Sequence, residues 1–144
     1  MKEQNYSNHR RYVPAYHFIL SPLSVIYFFG AVLYLIISIV NGLPILLPVL
    51  VVIGGINFVL LYIFCRYFAL KVQDRAIRAE ENLRYFVLTG KQFDSRLKIG
   101  QIIALRFAPD DEFIALANRA LEEDLSADGI KRAILHWKAD ECRA

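Results

Sequence analysis

Charge is absent from one third of this chain, and no other feature of the sequence restricts the fold as strongly. Residues 18–65 form a run of 48 positions without Lys, Arg, Asp, Glu or His, broken only by a turn sequence at 41–44. Helices of soluble proteins keep a polar stripe, and a signal peptide has an apolar region of only about 7 to 15 residues. The run fits neither pattern. It predicts membrane-spanning helices at 18–40 and 43–65, each long enough to cross a hydrocarbon core of about 30 Å.

Sequence motifs for catalysis and metal binding are also missing. The chain has no glycine-rich phosphate loop, no nucleophile elbow and no His-Glu-x-x-His zinc motif. Its two cysteines, Cys65 and Cys142, are far apart in sequence, which indicates reduced thiols in a cytosolic setting. His136 and Asp140 could gather a metal with Cys142, but a solvated terminal helix explains them more simply. We therefore predict no catalytic, cofactor-binding or metal-binding residues, and no enzymatic activity.

Basic residues flank the apolar run at both ends, whereas the turn inside it carries no charge. The basic residues nearest the run are Lys2, Arg10, Arg11, Arg66, Lys71, Arg75 and Arg78. Because basic flanks resist translocation, both termini are predicted to be cytoplasmic. The net charge of +3 comes mostly from the segment before the run, which indicates a topology signal and no nucleic-acid surface.

These features divide the chain into four predicted segments. They are a cytoplasmic leader at 1–17, a transmembrane hairpin at 18–65, a cytoplasmic helical extension at 66–90 and a small helical segment at 91–144. The predicted fold is all-α, a transmembrane two-helix hairpin whose second helix extends into the cytoplasm, followed by a small three-helix C-terminal segment.

Helix-ending and helix-capping residues predict the boundaries in the cytoplasmic part. No Gly or Pro lies between Cys65 and Gly90, so one helix is predicted over about 48–88, with Gly90 as its C-cap residue. Asp110 and Ser126 are good N-cap residues. They predict the second and third of the three short helices, which cover about 95–107, 110–124 and the residues after 126.

Apolar residues repeat with 3-4-3-4-3 spacing along the cytoplasmic extension. The repeating residues are Ala69, Val72, Ala76, Ala79, Leu83 and Phe86. The alanines allow a neighbouring helix to approach closely, and that neighbour is either another copy of the chain or the C-terminal segment folding back. On the other face, acid-before-base pairs at i,i+4 are predicted between Asp74 and Arg78 and between Glu80 and Arg84.

Small residues recur inside the predicted spans. Ser24, Ala31 and Ser38 lie seven residues apart, and Gly54 with Gly55 is their natural partner in the second span, because membrane helices pack closely through small residues. A groove for lipid or a small molecule is the alternative interpretation.

Asn57 is the amide side chain deep in the second span. In hydrocarbon it needs a hydrogen-bonding partner. The candidates are Tyr27, Tyr34 and another copy of the chain.

Two charge features of the C-terminal segment run against local rules. Glu122, Glu123 and Asp124 lie at the negative end of their predicted helix, so they are expected to pair with Lys131 and Arg132 or to face a basic partner. Arg106 lies in an otherwise apolar stretch. It is expected either to reach solvent along its stem or to form a buried pair with Asp110 or Asp111.

Four stretches of the sequence carry a family resemblance. They are NHRRYVP at 8–14, FALKVQDRAIR at 68–78, QIIALRFA at 101–108 and IKRAI at 130–134 followed by Trp137. On these motifs the chain resembles an uncharacterised family of small two-span bacterial membrane proteins. The resemblance implies a bacterial inner-membrane setting and no particular activity. Its motifs are juxtamembrane or lie in the C-terminal segment, which favours a cytoplasmic recognition surface.

The predicted function is that of a non-enzymatic inner-membrane protein whose hairpin anchors a helical cytoplasmic platform for protein assembly. Its partners would be the lipid bilayer and another copy of the chain or an unidentified protein. The candidate contact residues are Gln73, Asp74, Arg75, Arg78 and Arg106; the plainer interpretation of the first four is a solvated face with arginines on lipid headgroups. The alternative function is an accessory or oligomeric transport or channel subunit, followed by an enzyme acting on lipid.

Overall fold

The computed structural model describes residues 4–8 and 12–139, and every regular element within these ranges is a helix. A π-helical turn at Ala15–Leu20 leads into α1, Ser21–Val40, and α2 covers Leu46–Thr89. Three short helices follow: α3 at Ile99–Leu105, α4 at Asp110–Glu122 and α5 at Ala127–Ala133. The all-α prediction, with two long apolar helices followed by three shorter ones, is confirmed.

The chain divides into two compact units, residues 12–69 and residues 1–11 with 70–144. The first unit, here called the hairpin, contains α1 and the apolar half of α2. The second, here called the tail unit, contains the rest of α2 and the three short helices. The predicted leader at 1–17 and C-terminal segment at 91–144 each include residues outside the described ranges, namely 1–3, 9–11 and 140–144.

Two helices of the structure are long and apolar enough to cross a membrane. They are Ala15–Val40, with 26 residues, and Leu46–Thr89, with 44, and the most apolar window of each has a mean hydropathy of 2.5. Only 11% of each window is buried. The core helix of a soluble protein would be mostly buried, so the exposure of these two apolar helices is compatible with membrane anchoring.

Proline and glycine shape the two ends of α1. Pro22 has no amide hydrogen to donate to the carbonyl of Phe18, and the helix is widened to π-type spacing over the preceding turn. At the other end, Gly42 adopts a left-handed conformation with φ of +65°, and the amide of Leu43 donates to Ser38 at 2.9 Å. The chain therefore reverses within five residues before α2 begins.

The tail unit has one apolar core. Its largest fully buried side chains are Phe107, Phe113, Leu105 and Ile130. Tyr85 of α2 stacks on Phe93, with ring centroids 4.4 Å apart, and both rings lie edge-on to Phe113. The core is thus built from the end of α2 as well as from α3, α4 and α5.

The caps of the tail unit agree with the sequence. Gly90 ends α2 in a left-handed conformation with φ of +70°, and its amide donates to Phe86 at 2.8 Å. The hydroxyl of Ser126 accepts the amide of Gly129 at 3.0 Å and begins α5. α4 covers Asp110–Glu122, close to the predicted 110–124, but its N-cap is Pro109 and not Asp110, which is the first helical residue.

The first and third short helices are shorter than predicted. Asp94 accepts both the amide and the guanidinium of Arg96, which holds residues 94–97 in a turn and delays α3 to Ile99. α5 ends at Ala133, because the next amide groups donate to a carboxylate of α4, as described below.

The leader contacts α5 within the tail unit. The hydroxyl of Tyr6 donates to Asp128 at 2.6 Å and accepts from Arg132 at 3.0 Å. The guanidinium of Arg132 also lies 5.0 Å from the centre of the Tyr6 ring. These contacts hold the leader to the last helix within the tail unit.

Candidate functional site

The part of α2 that belongs to the tail unit, from Leu70 onward, has two faces with different surroundings. One face is covered by the tail unit, and its buried or half-buried residues include Ile77, Glu81, Arg84 and Tyr85. The other face is exposed. α2 therefore supports the other helices of the tail unit on one face, and its other face is uncovered within the described residues.

Arg84 is the main polar link between α2 and the other helices of the tail unit. Its guanidinium donates to Asp110 at 2.7 Å, to Glu81 at 3.1 Å and to the carbonyl of Ala108 at 2.8 Å. It also lies 4.1 Å from the centre of the Phe113 ring. The Arg84 side chain is 13% exposed and that of Glu81 is 11% exposed. The guanidinium thus holds the loop before α4 against α2.

The ionisation of Glu81 depends on Arg84. Burial raises the pKa of Glu81 above its ordinary value, and the hydrogen bond and positive charge of Arg84 oppose that rise. The sequence predicted that Arg84 would pair with Glu80. The observed partners are Glu81 and Asp110, because the guanidinium points into the tail unit and not along the solvent face of α2.

The open face of α2 carries the apolar residues that repeat with 3-4-3-4-3 spacing. These residues, here called the α2 seam, are Ala69, Val72, Ala76, Ala79, Leu83 and Phe86, and all six are exposed. The three largest are well exposed, with Val72 at 68%, Leu83 at 64% and Phe86 at 50%. The sequence left open whether the C-terminal segment covers this seam. The structure shows that it packs elsewhere on α2.

The predicted contact residues are divided between two places. Gln73 and Asp74 are half-buried and Arg75 and Arg78 are exposed, all within two turns of α2. Arg106 follows α3, and its guanidinium lies 4.6 Å from the centre of the neighbouring Phe107 ring. Of the two carboxylates suggested for Arg106, those of Asp110 and Asp111, the first is bound by Arg84.

The acidic residues at the end of α4 have partners that the sequence did not predict. Glu123 pairs with Arg119 at 3.0 Å, and Asp124 pairs with Lys98 at 2.9 Å. The predicted pairing with Arg132 is wrong, because Arg132 binds Asp128 one turn earlier on its own helix, at 2.9 Å. Arg119 of α4 and Lys98, the N-cap residue of α3, therefore offset the negative charge of Glu123 and Asp124 at the end of α4.

The sequence did not predict the roles of two polar side chains of the tail unit, one buried and one half-buried. Gln101, only 4% exposed, donates to the carbonyl of Leu125 at 2.9 Å and accepts the amide of Lys98 at 2.7 Å. Glu112 accepts the amides of Leu135 and His136, both at 2.9 Å. The position of Gln101 as a lone polar residue in the apolar stretch before Arg106 could have indicated a buried hydrogen-bonding role. No local sequence pattern distinguished Glu112 from the other acidic residues of its helix.

We expect the attachment of residues 135–137 to weaken in acid. Burial raises the pKa of Glu112, but hydrogen bonds from the amides of Leu135 and His136 and from the His136 ring outweigh that effect and leave the pKa below its ordinary value of 4.5. A lowered pKa means that the ionised carboxylate stabilises the folded state above about pH 4.5, and that this stabilisation is lost as the pH falls through the folded pKa.

The measurement is the fluorescence of Trp137, whose ring centroid lies 4.9 Å from that of Phe107. Wild-type fluorescence should change as the pH falls below about 4.5. The Glu112→Gln variant should show the altered signal already at pH 7 and little further change. Identical pH profiles for the two proteins would contradict the role given to Glu112.

The hairpin brings the predicted small residues into its interior. Ser24, Ala31 and Ser38 are the buried residues of α1, and a Cβ on Gly55 would lie 3.3 Å from the backbone of Phe28. Two aromatic contacts join α1 or the π-turn to α2. Tyr16 stacks on Tyr62 and donates to its carbonyl, and Tyr27 meets Phe58 edge-on.

Gly54 and Asn57, the other predicted packing residues of the hairpin, are more exposed to solvent than these. A Cβ on Gly54 would lie 3.5 Å from the hydroxyl of Tyr27, and Asn57 is exposed on the surface of α2. Next to them is an open groove of about 430 Å³, lined by Leu20, Leu23, Ser24, Ile26, Tyr27 and Phe58. In a membrane its apolar walls would face lipid chains.

Gly55→Leu is expected to force α1 and α2 apart, because the added Cβ would lie 3.3 Å from the backbone of Phe28, which cannot rotate away as a side chain can. The expected cost is about 1 to 3 kcal/mol. Gly30→Leu is the matched control, since no atom lies within 4 Å of its added Cβ. Resistance of helical circular dichroism to increasing SDS is the measurement, and equal loss in both variants would contradict the packing described.

No group of three or more His, Cys, Asp or Glu side chains suited to a metal ion occurs within residues 4–8 and 12–139. Of the three residues considered for a metal in the sequence, Asp140 and Cys142 lie outside these ranges. His136 instead contacts Glu112, with the two polar atoms 2.8 Å apart.

Comparison with protein families gave one match, which covers residues 1–144 and is described as "Family of unknown function (DUF6526)". This finding confirms the resemblance to an uncharacterised family. Comparison with curated proteins gave no match, and comparison with solved structures gave none either.

Proposed function

Because the chain belongs to family DUF6526, described as of unknown function, we propose from its own geometry that it is a non-enzymatic inner-membrane anchor for a cytoplasmic assembly platform. The hairpin would span the bacterial cytoplasmic membrane with both termini inside. The tail unit would present the exposed face of α2 to a protein partner.

The observation that carries this proposal is the exposure of apolar surface in both units. The hairpin windows are only 11% buried, although their mean hydropathy is 2.5. A lipid bilayer supplies the surroundings that such helices need. The α2 seam is also exposed, but it lies in a stretch that contains Lys71, Arg75 and Glu80, which points to a protein partner and not to the hydrocarbon core.

The contact between the leader and α5 supports the proposed topology. Tyr6 precedes α1 and its partners Asp128 and Arg132 follow α2, so two crossings return the chain to the side on which it began. The basic residues on both flanks then give that side as the cytoplasm. Only the five residues between α1 and α2 would reach the far side.

Cysteine labelling tests the topology. In a Cys65→Ser, Cys142→Ser background, Leu43→Cys in the turn should react with a membrane-impermeant thiol reagent in intact spheroplasts. Lys91→Cys, exposed after Gly90, should react only after permeabilisation. Labelling of Lys91→Cys in intact spheroplasts would contradict the proposed orientation, and equal labelling of both variants would contradict the two crossings.

The assembly role is tested by the mass and composition of the protein after gentle extraction from its own membrane. A particle that contains more than one polypeptide chain is expected, whether a second copy or a stoichiometric second protein. A lone monomer would contradict the platform. In the alternative role of a transport or channel subunit, vesicles containing the purified protein would show ion or solute flux, and none is expected.

A further inference from the structure

We propose that the α2 seam is the contact between two copies of this chain, which associate with their α2 helices parallel. This inference rests on the proposed function, because a shared membrane gives both copies the same orientation. The occupant of the seam would therefore be the seam of a second copy.

The spacing of the seam is that of a two-stranded coiled coil. Ala69, Ala76 and Leu83 take one position of a seven-residue repeat, and Val72, Ala79 and Phe86 take the position three residues later. Such a 3.5-residue period keeps one face of each helix against its partner through a left-handed supercoil. The alanines permit axes about 8 Å apart, and the large exposed residues near each end fill the spaces beside them.

The tail unit leaves room for this arrangement. The residues of α2 that it covers, Ile77, Glu81 and Arg84, lie on the opposite side of the helix from the seam. In the heptad notation the seam takes positions a and d, whereas Ile77 and Arg84 take b, Glu81 takes f and Tyr85 takes c, all of which face away from a coiled-coil partner. The half-buried Asn82 takes the flanking position g. A second copy could therefore bind while the tail unit stays in place.

The charges beside the seam suit a parallel pair of identical helices. Arg75 is directly before Ala76, and Glu80 is directly after Ala79, so they take the flanking positions g and e. In a parallel coiled coil, a residue at g meets the residue at e five positions later on the partner helix. Arg75 would thus meet Glu80 of the second copy, and two-fold symmetry would form this ion pair twice. Both side chains are exposed.

Cysteine cross-linking in native membranes tests the contact. The full-length protein would carry Cys65→Ser and Cys142→Ser, with either Ala79→Cys in the seam or Arg78→Cys one residue away. Under mild copper-phenanthroline oxidation, Ala79→Cys is expected to form a disulfide-linked dimer within minutes, because position d faces its own copy on the partner helix. Arg78→Cys, which faces solvent, should stay monomeric. Equal cross-linking of the two, or none in either, would overturn the proposal.

Charge exchange tests the parallel pairing. Added to the Ala79→Cys protein, Arg75→Glu alone or Glu80→Arg alone should lower the dimer yield about fivefold, since each replaces two attractive pairs with repulsive ones. The combined Arg75→Glu, Glu80→Arg protein should recover most of that yield. Failure of the combined variant to recover, or unchanged yield in the single variants, would overturn the pairing of Arg75 with Glu80.

The same membranes separate this inference from the proposed function. If the seam does not cross-link while Leu43→Cys and Lys91→Cys keep their expected labelling, the two-copy contact is rejected and the membrane anchor stands. If the labelling pattern also fails, the anchor itself is rejected.

Discussion

Replacing Arg84 with leucine is expected to separate the tail unit from α2. The substitution removes hydrogen bonds to Asp110, Glu81 and Ala108, and it leaves the buried carboxylate of Glu81 without its counter-charge. Breaking a buried pair in this way costs on the order of 3 kcal/mol. Because a segment of this size is only marginally stable, the loss should leave the tail unit largely unfolded at 37 °C.

Urea unfolding of the full-length protein in lipid nanodiscs, followed by the fluorescence of Trp137, measures this effect. Arg96→Leu is the control, because Arg96 forms an exposed pair with Asp94, in which its own side chain is 73% exposed. Its unfolding midpoint should stay near that of the wild type. Equal midpoints for Arg84→Leu and Arg96→Leu would contradict the importance of Arg84.

The pH dependence of the Arg84→Leu variant gives a second test. Burial already raises the pKa of Glu81, and removal of Arg84 takes away the hydrogen bond and charge that oppose the rise. A raised pKa penalises the ionised form, so the folded state of the variant should lose stability as the pH rises through that pKa and regain it as the pH falls toward 5. Adding Glu81→Gln should recover about 1 kcal/mol at pH 7 and remove this pH dependence.

Phe113→Ala is expected to destabilise the tail unit by about 3 to 5 kcal/mol. The ring is fully buried, it contacts the rings of Tyr85 and Phe93, and it supports the guanidinium of Arg84. Its truncation would leave a cavity at the one place where α2, the loop before α3 and α4 all meet. The Trp137 unfolding curve should move to a much lower urea concentration.

Leu135→Ala is the control for Phe113→Ala, because it also removes an apolar side chain but one that is 79% exposed. Its unfolding curve should overlay that of the wild type. A small effect at Phe113, within about 1 kcal/mol, would show that the neighbouring rings collapse into the space and that the aromatic cluster does not hold the unit together.

The sequence was sufficient for features that depend on one helix. The uncharged run predicts two long apolar helices, and a single glycine, Gly90, predicts where the second one ends. The 3-4-3-4-3 spacing also identifies an apolar face of α2 correctly. Each of these features follows from hydrophobicity, period or backbone freedom along a continuous stretch, which are properties that a sequence displays directly.

The sequence did not predict which ion pairs form between different helices. Arg84 had a plausible partner in Glu80 four residues before it, and Asp124 had basic residues soon after it. In the structure Arg84 binds Asp110 and Asp124 binds Lys98, each 26 residues away along the chain. Ion pairs within one helix contribute only a few tenths of a kcal/mol. The packing of the helices against one another therefore determines which partner each charged side chain binds.

The same limit applies to the ends of short helices and to the covered face of α2. Helical spacing continues past Ala133, but Glu112 accepts the amides of residues 135 and 136 and the chain leaves the helix there. Likewise, the polar appearance of Glu81 and Arg84 suggested a solvent face. The contacts of Arg84 with Asp110, the Ala108 carbonyl and the Phe113 ring show that the other helices of the tail unit cover it.

The hydrogen bonds between Tyr6 and α5 join residues that are synthesised at different times. Tyr6 leaves the ribosome 122 residues before Asp128, its hydrogen-bond partner. The leader therefore has no docking site while α1 and α2 are being made. Its contact with α5 can form only after α5 has emerged, so docking of the leader reports that α5 has been synthesised.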